Sequence, residues 1–358
     1  MRADVVARVE RTCSRHPEPK GLRLAVLEQL RAVLDFDGHV WLLTDPQTCV
    51  GTSPLAAIPG LPWSRLPALI CARYLASANR WTTLTRTPSH AGRLSATGES
   101  EYSASHQWRA ELDALDVADV ASVVFSDKHG CWGWLDLWRM RTRKDFGDAD
   151  LDLLSEIRPA VTRSLRECQG RRFGAPVDAG VRRGPSVLLL SPDLAVRGQT
   201  AEAGRHLYLL NPPDPGQDGA PPAAPAIPAA AYNVAAQLIA RECGVDDKPA
   251  RARVHIGGLG WLTLDADRMS GAGAAHERDI AVTIGPSGLG DRHDLFARAY
   301  GLTTRETEVL GLVLRGRDTH AMSDDMSLSD HTVNDHVKAV LAKSGCANRH
   351  ALVARVVG

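Results

Sequence analysis

Residues 318–345 read DTHAMSDDMSLSDHTVNDHVKAVLAKSG, and this stretch decides the architecture of the C-terminal end. It predicts a short helix over about 318–326 and a longer one over about 330–344, joined by Ser327-Leu328-Ser329. Ser329 suits the N-cap of the second helix, because its hydroxyl can accept from an otherwise unpaired N–H of the first turn. Val333, Val337, Val340 and Leu341 recur at helical spacing and form a buried stripe. Gly345 ends the helix. Two helices joined this tightly have helix-turn-helix spacing.

Working outward, Thr303-Thr304-Arg305-Glu306 is a capping box: the Thr303 hydroxyl accepts from the N–H three residues on, and Glu306 reaches back. Val309, Leu310, Val313 and Leu314 form the apolar stripe of that helix, and Gly316 stops it. A preceding helix, DLFARAYG, ends at Gly301, and a last helix carries Leu352, Val353 and Val356. The result is a compact all-α bundle of four short helices over 293–358.

In a helix-turn-helix the second helix lies in the major groove, so the positions outside its buried stripe must meet DNA. Asp330, His331, Thr332, Asn334, Asp335, Lys338 and Lys343 hold those positions. Asn334 suits adenine N6 and N7, and Thr332 a thymine methyl or a phosphate. Lys338, Lys343 and a protonated His336 suit phosphates. Thr319, Ser329 and Val333 complete the candidate DNA-binding set. The competing reading is a helical cap with a solvated polar face.

The chain has 358 residues, which at roughly 150 per domain suggests two or three domains. Hydrophobic residues make up 44% and charged residues 23%, which excludes a largely disordered or collagen-like chain. Lys+Arg and Asp+Glu are 42 each, so no broad basic field is expected. From His293 to Gly358 the balance is again eight against eight, so non-specific DNA affinity should be weak and binding should depend on dimerisation. The seven cysteines are scattered without C-x-x-C, which fits a reducing compartment and neither a disulfide framework nor a zinc site. MRADVVARVERTC shows no apolar signal region, and no stretch is long enough to span a bilayer, so a cytoplasmic location is expected.

Two compositional breaks, QGRRFGAPVDAGVRRGPS (169–186) and the Gly-rich run ending near 291, divide the chain. Expected domains are therefore 1–172, 181–288 and 293–358. The first reads as a helix over 21–34, a strand over 39–43, a helix near 106–115, strands over 119–125 and 131–138, and a long helix over 148–168. The middle region reads as the hairpin SVLLLSPDLAVRGQT, helices near 201–210 and 231–242, and strands RVHI, GWLTLDA and DIAVTIG. Both are α+β. The proline-rich stretch 211–229 reads as a mobile loop. No internal repeat is evident.

Leu302, Thr303, Arg305, Glu306, Glu308, Val309 and Leu310, then Gly316, then Leu328, Ser329, Thr332, Val333, Asn334 and His336, then Lys343, Gly345, Arg349, Leu352 and Val353, together resemble the LuxR-type DNA-binding domain over about 55 residues. The run from Thr332 to Gly345 looks like a subgroup of actinobacterial regulators. HVWLLTDPQTCVGTSPLA, NRWTTL, DVASVVF, CWGWLDLW, PAAAYNVAAQL and GWLTL are similar to that subgroup's GAF-like and PAS-like regions. The resemblance implies a GAF-like unit, a PAS-like unit and a C-terminal helix-turn-helix. One departure is His320-Ala321-Met322-Ser323 where the family has a Lys-Glu-Ile-Ala-like run, followed by Asp324-Asp325. Met322 can stand in for an aliphatic core residue, and Ser323 is small enough for a tight crossing.

In CWGWLDLW, strict alternation sends Trp132, Trp134, Asp136 and Trp138 to one face. With Trp41 they are candidates for the aromatic wall of a ligand pocket; the alternative is core packing. His39 and His255 lack ligand-spaced neighbours, so no metal is expected. The Gly-rich runs lack a phosphate-loop pattern, GxSxG is absent, and no catalytic residue or cofactor is expected. The overall expectation is a transcription regulator that binds double-stranded DNA as a homodimer and senses an unknown small molecule through its N-terminal units. One rival is an assembly protein whose helix-turn-helix no longer binds DNA; another is an enzyme.

Overall fold

The structure, a computed structural model, describes residues 2–178, 184, 186–211, 228–271 and 274–358. The expected mobile loop lies outside the described residues apart from its ends.

The first sheet contains β1 (Gly38–Thr44), β2 (Gly51–Ala57), β3 (Ala91–Arg93), β4 (Val117–Asp127) and β5 (Gly130–Met140), antiparallel in the order β2-β1-β5-β4-β3. Helices α1 (Arg2–Arg15) and α2 (Pro19–Arg31) precede it. Between β2 and β4 come α3 (Leu66–Leu75), α4 (Trp81–Leu84), α5 (Glu99–Ala104) and α6 (His106–Asp113); α7 (Asp148–Arg172) follows β5. α1, β2 and α3 are not among the elements expected from the sequence. On one face, Val9, Leu30, Ile157 and Val161 of α1, α2 and α7 meet Trp41, Phe125, Leu135 and Leu137. Each such buried side chain contributes about 1.5–3 kcal/mol.

Strict alternation along β5 fails at one point. Phe125 pairs with Gly133 and Ser126 with Cys131, so Trp132 is an extra residue in the ladder. This bulge turns Trp132 onto the face of Trp41 and Leu135, whereas Trp134 and Trp138 face the other way. The expected single aromatic wall is therefore corrected: its members lie on opposite faces. None of Trp41, Trp132, Trp134 and Trp138 is more than 3% exposed. Trp41 stacks on Phe125 at 5.0 Å, and Trp134 on Trp81 at 4.9 Å.

The far face is filled by the protein's own cation. Arg73 of α3 donates to Asp136 at 2.9 Å and 3.3 Å, and its guanidinium lies 4.3 Å from the Trp108 ring centre and 5.4 Å from that of Trp134. Ser122 also donates to Asp136, at 2.6 Å. The tryptophans thus solvate a buried ion pair.

The second sheet contains β6 (Ser186–Leu190), β7 (Val196–Gln199), β8 (Arg251–Ile256), β9 (Gly260–Arg268) and β10 (Ile280–Pro286), antiparallel in the order β7-β6-β10-β9-β8. Counted from its own first strand, this is the order of the first sheet, so the topology repeats where the sequence shows no repeat. α8 (Ala201–Leu210) starts at Thr200, whose side chain accepts from the Ala203 amide. α9 (Ala229–Glu242) buries 11 of its 14 residues, so it is an inner layer and not a surface helix. It packs on α3 and β2 on one side and on β9 and β10 on the other. Its alanines permit that close approach.

Charge also joins the two sheets. Arg253 of β8, 2% exposed, donates to both oxygens of Asp45 at 2.6 Å and 2.9 Å. Its other Nη donates to Asp294 at 2.9 Å. Asp294 belongs to α10 (Leu289–Ala299), which leads into α11 (Thr304–Leu314), α12 (Thr319–Met326), α13 (Asp330–Ser344) and α14 (Arg349–Val357). Arg253 therefore touches all three regions of the chain. A second buried pair, Arg80 to Asp246 at 2.6 Å, links the two sheets again.

Candidate nucleic-acid interface

Local chemistry sets each helix of the C-terminal unit. The Thr303 amide donates to Glu306 at 2.7 Å, and the Thr303 hydroxyl accepts from the Glu306 amide at 3.3 Å, completing the capping box. The Asp318 side chain accepts from the Ala321 amide at 2.9 Å and starts α12. Ser327, at φ 53°, takes the left-handed conformation that ends α12, and the Leu328 amide returns to the Ser323 carbonyl at 3.0 Å. Ser329 then caps α13 by accepting from Thr332 at 3.2 Å. Met322 and Ser323 are both buried, so the substituted run keeps the crossing of the two helices intact.

α13 buries Val333, Val337, Val340 and Ser344. The opposite side carries His331, Asn334, Asp335 and Lys338, with the His331 and Lys338 side chains 85% and 74% exposed. Thr332 and His336 lie at the edges of that face, half-buried.

One expected DNA contact is corrected, and the cation of a second, Lys343, is engaged within the protein. Val333 is fully buried and has no surface to offer. Lys343 donates to Glu306 at 2.6 Å and to the Gly301 carbonyl at 3.3 Å, so it ties the end of α13 to the start of α11. Burial raises the Glu306 pKa, but Lys343 and the Thr303 amide outweigh that and hold it below the usual carboxylate range.

The structure also shows a group that the spacing argument missed. Arg349 Nη2 donates to the Thr319 hydroxyl at 2.8 Å and to Asn334 Oδ1 at 3.3 Å, and Thr319 donates to the same oxygen at 3.4 Å. The Asn334 oxygen is thus occupied in the free protein. A clue was present: Arg349 is the first residue of α14, where a cation is disfavoured by the helix dipole and needs another reason to be there.

The acids are placed against the cations. Asp335 accepts from Lys338 at 3.2 Å and lies 3.4 Å from His331. Asp325 pairs with Arg317 at 3.2 Å, and Glu308 with Arg305 at 2.8 Å. The neutrality seen in the totals is thus local, ion pair by ion pair.

Among the described residues, no helix is long and apolar enough to cross a membrane. Residues 301–356 match the GerE family, described as bacterial regulatory proteins of the luxR family. The transcriptional regulatory protein DesR of Bacillus subtilis (strain 168) is 36% identical over 62 residues, which are 17% of this chain. The chain spans 31% of the length of that curated relative. A crystal structure of Escherichia coli SdiA aligns over 99% of this chain and 95% of its own, with 11% identity and a TM-score of 0.35. With its capping box, its short α12–α13 turn and its buried valine stripe, the segment 301–356 is a helix-turn-helix domain of the luxR family.

Proposed function

We propose that this protein is a sequence-specific DNA-binding transcription regulator. The observation that carries the reading is the outward face of α13, where Asn334 and Lys338 stand exposed above a buried valine stripe. α13 enters the major groove; Asn334 reads a base edge, and Lys338 and His331 meet phosphates. A bidentate contact to adenine requires the Asn334 oxygen, so Arg349 must release it; as the structure stands, Asn334 offers donors to acceptors such as guanine O6 and N7. Thr319, Ser329, Thr332, Asp335 and His336 border the contact.

The two sheet units act as GAF-like and PAS-like sensing or dimerisation domains. Their repeated antiparallel order supports that assignment. A dimer would place two copies of α13 on a two-fold site, and a signal would change their spacing.

A gel-shift titration with genomic duplex fragments, at about 50 and about 200 mM salt, tests the reading. The expected result is a salt-sensitive complex that Lys338→Ala weakens on every sequence and whose base preference Asn334→Ala changes. A second reading, an assembly module that does not bind DNA, draws on the Asp335 carboxylate held against Lys338. Absence of a salt-sensitive complex with any duplex would favour that second reading.

A further inference from the structure

A cleft of about 950 Å³ opens where the three regions of the chain meet. Its walls come from the β4–β5 turn, from α7, from the segment after α4, from Lys248 ahead of β8 and from Arg298 of α10. Seven of its lining residues are Arg or Lys, and a single one, Asp127, is acidic. Asp127 is already engaged: it accepts from the Trp132 ring N–H at 3.1 Å and from the His129 amide at 2.9 Å, and lies 3.5 Å from Arg166. Arg298 is paired with Asp294. Arg86, Lys128, Arg158 and Arg163 have no carboxylate at ion-pair distance among the described residues.

A second observation is independent of the charge. Thr162 of α7 lines the same cleft and is 3% exposed, yet its hydroxyl has no hydrogen-bond partner in the protein. The Nε group of Arg158, also in the cleft wall, is likewise unpartnered. Buried polar groups are rarely left so, because each costs the desolvation of a donor or acceptor. Cations in excess, unpartnered buried donors and concave shape together point to an anion site.

We infer that this cleft binds a small anion carrying two or more phosphate groups. Guanidinium forks match phosphate oxygens in geometry and charge, and the Thr162 hydroxyl can donate to the same group. The volume lies within the roughly 300–1,000 Å³ of small-molecule sites. The lining is more polar than apolar, so recognition rests on the phosphates. A duplex backbone is a poorer fit, since its phosphates lie on a convex rod and cannot reach a buried hydroxyl inside a concave wall. The inference does not depend on the DNA-binding reading.

The test is calorimetric titration of the full chain with inorganic pyrophosphate at constant ionic strength, with sulfate as the comparison anion. Saturable binding of pyrophosphate, at least about tenfold tighter than sulfate, is expected. Arg158→Ala combined with Arg163→Glu should weaken it by about tenfold or more, as should Arg86→Glu with Lys128→Glu on the opposite wall. Thr162→Val should weaken it several-fold while leaving the thermal midpoint of the free protein unchanged or higher, because the hydroxyl it removes is unpaired; a merely structural threonine would lower that midpoint. Lys338→Ala should bind pyrophosphate like the parent. Absence of saturable binding, or equal binding by both charge variants, overturns the inference. So does a loss of duplex binding in the charge variants when the parent ignores pyrophosphate, which would assign the cleft to the DNA backbone.

Discussion

The two-sheet body and the C-terminal helical unit use ion pairs in opposite ways. In the body, Arg73–Asp136, Arg80–Asp246 and Arg253–Asp45 are all but sealed from water. In the helical unit, Lys338–Asp335 and Arg305–Glu308 lie at the surface. A buried pair whose partner is lost leaves an uncompensated charge, whereas an exposed one is replaced by water and salt. The same residue types therefore set the architecture in one region and only tune a surface in the other.

The sharpest way to break this contrast is to remove Asp136. Asp136→Ala should cost about 3–5 kcal/mol in denaturant unfolding, since Arg73 would remain buried among tryptophans with no counter-ion. A loss below about 1 kcal/mol would mean that the ring faces alone satisfy the guanidinium.

Arg253→Ala should cost nearly as much, about 3 kcal/mol, and should also increase hydrogen exchange in α10, because Asp294 loses the same partner. If α10 exchanges as before, the clamp acts only between the two sheets.

Acid should act on the two regions in sequence. Burial, with Arg31 and Arg23 nearby, pushes His39 down to about 4; burial, with Arg172 and Arg292 nearby, does the same for His255. Each is neutral in the folded body, while the unfolded chain takes up a proton near 6.5. Their stabilisation is thus complete above about pH 6.5 and is lost as pH falls toward 4. Glu306 has a lowered folded pKa, so its contribution holds above about 4.5 and is lost as pH falls through its folded value. Tryptophan fluorescence, which reports the body, should therefore soften at higher pH than the helical signal of the C-terminal unit. Glu306→Gln should flatten only the lower limb.

The smallest effects belong to the surface. Lys338→Ala should change unfolding stability by less than about 0.5 kcal/mol while weakening DNA binding on all sequences. Ser327→Gly should stabilise the helical unit by about 1 kcal/mol, because glycine adopts the left-handed conformation without penalty. A destabilised glycine variant would show that the Ser327 side chain has a role beyond the turn.

The sequence by itself determined the helical unit. Its caps at Thr303, Asp318, Ser329 and Asn348 act over three residues, and its valine stripe repeats every three or four, so each is legible in a short window. Most strands were legible for the same reason. The tertiary structure decided what lies far apart in the chain. One extra residue in the ladder put Trp132 on the face opposite Trp134, and no alternation rule reveals that. Arg73 and Asp136 are 63 positions apart, and Arg253 and Asp45 are 208 apart. The repeated strand order, the shared inner helix α9 and the cationic cleft arise in the same way. Caps and stripes depend on neighbours along the chain; buried ion pairs and clefts depend on which distant segments the packed core brings together, and only the fold supplies that.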